Sequence, residues 1–167
     1  MKSTLFLMVG IPGSGKSTWI ANQVDSLEQE QYKVISRDEI RFAMLKPGED
    51  YFLHENAVFA QFIKSINDAI ANKVQYIFID ATHISPGSRA KVLQRVREPA
   101  STSLVVEVFN TPLETCLERN SKRTGLANVP AASIKSMARG FSHPTMEEFT
   151  KYHFSSVKIW SHGKAIT

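Results

Sequence analysis

The sequence predicts an α/β domain: a central parallel sheet of five strands with helices on both faces. Three observations carry this. Short apolar runs alternate with stretches of helical periodicity, the pattern of strands joined by crossover helices. Tyr76-Ile77-Phe78-Ile79 is apolar at consecutive positions, as a strand buried on both faces must be. Gly10-Ile11-Pro12-Gly13-Ser14-Gly15-Lys16-Ser17-Thr18 fills every position of G-x-x-x-x-G-K-[ST], between an apolar run at 5–9 and a helix-forming segment at 19–24.

That loop follows the first strand. Its glycines let the backbone curl so that the N–H groups from Gly13 through Thr18 point at phosphate oxygens, at the positive end of the next helix. Lys16 can reach the β- and γ-phosphates, and the Ser17 hydroxyl can hold Mg²⁺. The loop therefore reads as a site for a nucleoside triphosphate, ATP or GTP. Further strands are expected over 32–35, 75–79, 103–109 and 156–160, and helices over 39–46, 51–71, 89–97, 113–120 and 131–139. Phe59, Phe62, Ile63, Ile66 and Ile70 recur at helical spacing, as one packed stripe would.

Ligands of such sheets lie outside the carboxyl ends of the strands, and each strand here ends in polar residues. After the second strand, Asp38 either accepts a proton from an acceptor hydroxyl or caps the helix that begins there. Arg41, one turn on, can face the same cleft and hold a substrate phosphate, or lie on a solvated helix face. After the third strand, Asp80 is placed to act on Mg²⁺ or to anchor Arg41. His83 is expected at a pocket wall or the surface, and no histidine spacing suggests zinc. Arg119 and Arg123 share a face if their helix persists. Together they would offset charge on the transferred phosphoryl group, or else they mark a basic helix terminus. Gly125, Asn128 and Pro130 suit a mobile lid at about 119–139.

With 167 residues and 43% hydrophobic content, one domain over 1–167 is expected. The net charge of +4 suits anionic partners without requiring them. A single cysteine, Cys116, excludes an internal disulfide and fits a reducing compartment. The apolar run at 5–9 is too short for a signal peptide, and nothing approaches a membrane span, so a cytoplasmic protein is expected.

The loop G-I-P-G-S-G-K-S-T-W, the block S-R-D-E-I-R, the strand end I-D-A-T and the run R-N-S-K-R-T-G-L-A-N-V-P together resemble the kinase half of bacteriophage polynucleotide kinase, in the same order from about Leu5 to about Met137. The resemblance implies a P-loop kinase fold and ATP-dependent phosphorylation of the 5′-hydroxyl of DNA or RNA, or of a nucleoside 3′-phosphate, in nucleic acid repair. It makes Asp38 the general base. Arg41 would hold the phosphate beside the acceptor nucleoside, Asp80 would orient that arginine or the acceptor, and Thr82 would bind the acceptor. Lys16 and Ser17 would serve ATP and Mg²⁺, and Arg119 and Arg123 the donor phosphates. The D-x-D-x-T motif of that family's phosphatase domain is absent, so no 3′-phosphatase activity is expected.

Two other readings stand beside this one. A small-molecule kinase would keep Asp38 as base but act on a nucleoside, sugar or antibiotic hydroxyl. A nucleotide-binding module without phosphotransfer is the third. Asn72-Lys73-Val74-Gln75 lacks the Asp of the guanine-reading N-K-x-D and precedes a strand instead of following one. Arg89, Lys91, Arg95 and Arg97 form either a basic surface for an acceptor backbone or an ordinary solvated helix face.

Overall fold

The computed structural model describes residues 2–97 and 99–166; the ends of the domain expected over 1–167, Met1 and Thr167, lie outside the described residues. The chain runs β1 (Ser3–Val9), α1 (Lys16–Val24), β2 (Tyr32–Ser36), α2 (Arg37–Met44), α3 (Glu55–Ala71), β3 (Tyr76–Asp80), α4 (Pro86–Leu93), β4 (Thr102–Phe109), α5 (Leu113–Ser121), α6 (Ala131–Arg139), α7 (Met146–Lys151), β5 (Phe154–Ser161) and β6 (Lys164–Ile166). The sheet order is β2-β3-β1-β4-β5-β6. The first five strands are parallel, and β6 pairs with β5 antiparallel. The sixth strand extends the five expected. It is made by the two-residue turn His162-Gly163, both at positive φ, as a tight hairpin requires.

β1 lies in the middle, and its side chains alternate between two cores. Leu5, Leu7 and Val9 pack with Phe62 and Ile66 of α3 and Val92 of α4. Met8 on the opposite face packs with Ile20 of α1 and Phe78 of β3, with Phe6 and Trp19 alongside. Phe62, Ile66 and Ile70 of the expected stripe are buried, with Phe59 and Ile63 half-buried against them. A third cluster, Ile11, Cys116 and Ile134, pins α5 and α6 beneath the loop after β1. No described helix is long and apolar enough to cross a membrane.

Three expectations are corrected. Asp38 does not cap α2: Ser36 does, its Oγ accepting from the Glu39 N–H at 3.3 Å. His83 is neither wall nor surface. It is buried at φ 43°, Nδ1 lies 2.7 Å from the Met8 carbonyl, and burial lowers its pKa to about 4, so the ring is neutral. Arg89 does not belong to a basic surface. It is fully buried, its Nε and Nη2 donating to Glu148 at 2.7 and 2.9 Å and its Nη1 to the His83 and Ser142 carbonyls at 2.9 and 3.0 Å.

Glu148 belongs to α7, a six-residue helix that periodicity cannot detect. Thr145-Met146-Glu147-Glu148 does carry a capping box, and both of its side-chain bonds form. Burial raises the Glu148 pKa, but the bonds from Arg89 and the Thr145 N–H outweigh it, and the net shift is downward. The stabilisation is therefore present above the ordinary value of 4.5 and lost as pH falls through the lower folded value. Glu148→Ala strands a buried guanidinium and should cost about 3–5 kcal/mol. The check is urea unfolding at pH 7, where an unchanged midpoint would refute the role given to this pair.

Candidate active site

The loop after β1 is held by contacts that only its own sequence permits. The Gly10 N–H donates to the Thr82 carbonyl at 2.9 Å, tying the loop to the end of β3. Gly13 has φ +82°, and a Cβ there would lie 2.5 Å from the Cys116 carbonyl oxygen. Gly15, at φ +104°, caps α1. Thr111 Oγ1 donates to the Ser14 carbonyl at 2.8 Å, and Arg119 Nη1 to the Gly13 carbonyl at 3.2 Å.

Lys16 is buried inside this curl, with Nζ donating to the Gly10 and Ile11 carbonyls at 2.9 and 3.0 Å. Burial lowers its pKa, and the nearby Asp80 and Asp38 carboxylates oppose that. An ammonium has three protons, and the loop takes two. Ser14 Oγ is also buried without a partner among the described residues. A cation with a spare proton at a helix N-terminus fits a phosphate chain at this point.

On the cleft floor, Ser17 Oγ donates to Asp80 Oδ2 at 3.1 Å. Burial raises the Asp80 pKa, against which Lys16 and the Ser17 bond act. The two oxygens are hard donors of the kind Mg²⁺ takes. No cluster of three or more His, Cys, Asp or Glu suited to a metal exists among the described residues, so a cation here would complete its shell with water and phosphate oxygens. Asp80 does not anchor Arg41.

Arg41 is anchored elsewhere. Its side chain is 7% exposed, and its Nε and Nη2 donate to Glu55 Oε2 at 3.2 and 2.9 Å. Its Nη1 bonds Asp38 Oδ1, and its guanidinium lies 4.8 Å from the centre of the Tyr51 ring. The Tyr51 hydroxyl donates to Asp38 Oδ1 at 3.3 Å, and burial and Asp38 both keep that phenol protonated. Arg37 pairs with the other Glu55 oxygen. Asp38 itself is exposed, with 60% of its side chain open to solvent.

These groups share one cleft of ≈ 880 Å³. Gly13, Gly15, Lys16, Ser17, Thr18, Asp38, Arg41, Asp80, Thr82 and Arg123 all line it. Ser14 is buried within the loop and Arg119 braces the loop through the Gly13 carbonyl; neither lines the cleft. Arg123 sits in the exposed run from Ser121 to Asn128 and has no carboxylate partner among the described residues. Buried Asn120 fixes the far end of that run, bonding Asn128 Oδ1 at 3.0 Å and the Val129 carbonyl at 2.7 Å. Glu55, Tyr51 and Phe52 were not anticipated as site residues. The only sequence signal was the aromatic pair before a helix of otherwise ordinary composition.

Comparison with known proteins returned no match among curated sequences. Among solved structures, the chain is similar to one in the Pnkp1/Rnl/Hen1 RNA repair complex (TM-score 0.70, 23% identity, 92% of this chain and 47% of that one). It is also similar to a fungal RNA kinase (0.64, 11%, 98% and 78%) and to a sugar kinase from Janibacter sp. HTCC2649 (0.59, 17%, 96% and 86%). At these identities the likeness is one of fold. The chain spans about half the length of the RNA-repair chain.

Gly13→Ala adds a methyl where the Cys116 carbonyl already stands, at a φ that disfavours side chains. ATP affinity by isothermal titration should fall at least about tenfold; retained affinity would show that the loop binds without this curvature. The loop, the strand that leads into it and the segment through Pro144 are matched as one unit by a family profile described as an AAA domain, over residues 5–144. The chain belongs to that AAA-domain family and carries its P-loop kinase fold.

Proposed function

We propose that this chain is an ATP-dependent polynucleotide kinase that transfers the γ-phosphoryl group to the 5′-hydroxyl of DNA or RNA. One observation carries the reading: Asp38 and Arg41, bonded to each other one helical turn apart, face the same cleft as Lys16, Ser17 and Asp80. An exposed carboxylate and an aromatic-backed guanidinium are what an acceptor hydroxyl with a neighbouring phosphate needs. The fold likeness to an RNA kinase and to a chain of an RNA repair complex supports it.

In this reading Asp38 takes the proton of the 5′-hydroxyl as its oxygen bonds to the γ-phosphorus, and the bond to the β-γ bridging oxygen breaks to release ADP. Arg41 leaves Asp38 to grip the phosphate next to the acceptor nucleoside. Thr82, whose carbonyl already holds the loop, lines the acceptor side with Asp80. Lys16 and the loop N–H groups bind the β- and γ-phosphates, and Arg123 offsets charge on the moving group. Ser17 and Asp80 would hold Mg²⁺, which neutralises phosphate charge when bound.

A small-molecule kinase is the second reading, favoured by the sugar kinase likeness over 86% of that chain. Arg41 separates the two, because its loss should harm an acceptor that carries a phosphate far more than a neutral one. The test is γ-labelled ATP or GTP with Mg²⁺ against 5′-hydroxyl DNA, RNA and a nucleoside 3′-monophosphate. Asp38→Asn should lower transfer by about 10²–10⁴-fold with ATP binding nearly intact. Near-normal kcat in that variant would sink the assignment of Asp38. No label on any of these acceptors, with ATP still bound, would move the reading to a small-molecule hydroxyl.

A further inference from the structure

The acceptor side of the cleft continues along α3. Glu55, Phe59, Ile63 and Asn67 recur every fourth residue on that helix, one face about 18 Å long at 1.5 Å per residue. At the cleft end, Arg37 pairs with Glu55 and lies 5.3 Å from the centre of the Phe59 ring. The Arg95 guanidinium lies over the same ring at 5.5 Å. One aromatic side chain thus orients two cations from different parts of the chain. At the far end, Asn67 donates to the Arg95 carbonyl at 3.0 Å and accepts from the Arg97 N–H at 2.8 Å, fixing the segment after α4 against α3. A hollow of ≈ 380 Å³ bordered by Ile63, Asn67 and Arg97 opens there.

Charge along this row is uneven. Arg37 is neutralised by Glu55 inside the cleft, and Lys64 by Asp68. Arg95 and Arg97 are exposed and have no carboxylate partner among the described residues. The cations of this row that lack a carboxylate partner among the described residues are therefore the two outside the cleft, Arg95 and Arg97. A sugar or a nucleoside 3′-phosphate has nothing to place there, whereas a chain with an anion at every nucleotide does.

We propose that the acceptor strand leaves the cleft along this face of α3, as single-stranded nucleic acid whose downstream phosphates meet Arg95 and Arg97; the proposal rests on the polynucleotide-kinase reading. The test compares wild type with Arg95→Glu/Arg97→Glu and the milder Arg95→Gln/Arg97→Gln, all outside the cleft. Binding of a 3′-labelled, 5′-hydroxyl 12-mer is read by anisotropy over a range of salt. Both variants should bind more weakly, the charge-reversed one by about tenfold or more. The slope of log K against log salt should shrink by about 1.4, some 0.7 per lost phosphate contact. Their kcat/KM on a nucleoside 3′-monophosphate should stay unchanged, which also reports that the cleft is folded. Equal binding by wild type and variants, or no binding by wild type, would overturn the proposed path. Transfer of label from γ-labelled ATP is scored separately: arginine-dependent binding without phosphorylation by wild type would refute the kinase reading while leaving the nucleic acid surface standing.

Discussion

An ammonium group withdrawn from water must find partners or lose its proton, and Lys16 finds them in its own loop. Its Nζ rests on the carbonyls of Gly10 and Ile11, so those residues have to turn their oxygens inward around it. That turn needs positive φ at Gly13 and Gly15, and at Gly13 it packs so closely on Cys116 that no Cβ fits. The packing in turn needs α5 to start where Thr111 can reach the Ser14 carbonyl. Helix start and loop curvature are thus linked to housing one buried cation. The same cation opposes the upward shift that desolvation imposes on the half-buried Asp80 carboxylate of the cleft floor.

The opposite wall is balanced differently. There Arg37, Arg41, Asp38 and Glu55 set two guanidiniums against two carboxylates, so the charges balance without any ligand, although Arg37 Nε is buried with no hydrogen-bond partner among the described residues. Glu55 grips Arg41 through two nitrogens, while Asp38 holds it through one. The weaker grip faces solvent. A ligand phosphate can therefore replace the Asp38 contact while Glu55 keeps the guanidinium aimed, and Asp38 is released in the same exchange. On the proposed function, coupling of this kind would make binding of the acceptor's phosphate and the freeing of the carboxylate one event.

The sequence disclosed all five parallel strands and six of the seven helices described, α1 through the loop motif and the rest by periodicity, to within about four residues, because burial on one or both faces leaves a strong pattern. α7 and β6 escaped, being too short to show a period, although a capping box and a His-Gly turn marked them. In the site, residues belonging to a contiguous motif were legible: Gly13 through Thr18, Asp38, Arg41, Asp80. Glu55 was not, since it reaches Arg41 across 14 residues of chain and no local rule predicts that meeting. Arg89 misled for the converse reason. A basic residue on an amphipathic helix reads as solvated unless its buried partner is known, and Glu148 lies 59 residues away.

That long-range pair also decides which parts of the cleft can move. Arg89 binds the carbonyls of His83 and Ser142, the Ser142 N–H returns to the Ile84 carbonyl at 2.8 Å, and His83 reaches Met8. The end of β3, the strand before the loop and the chain leaving α6 are thereby one connected unit. Moving α6 would also withdraw Ile134, which is completely buried against Ile11 and Cys116. The run from Ser121 to Asn128 has no such burial, and only the Asn120 bonds fix its far end. Displacement is therefore least costly there, within the 119–139 segment expected of a lid. Arg123 travels with it, while Arg119, bonded to the Gly13 carbonyl, stays with the loop. The two arginines, equivalent by spacing, are divided by what each is tied to.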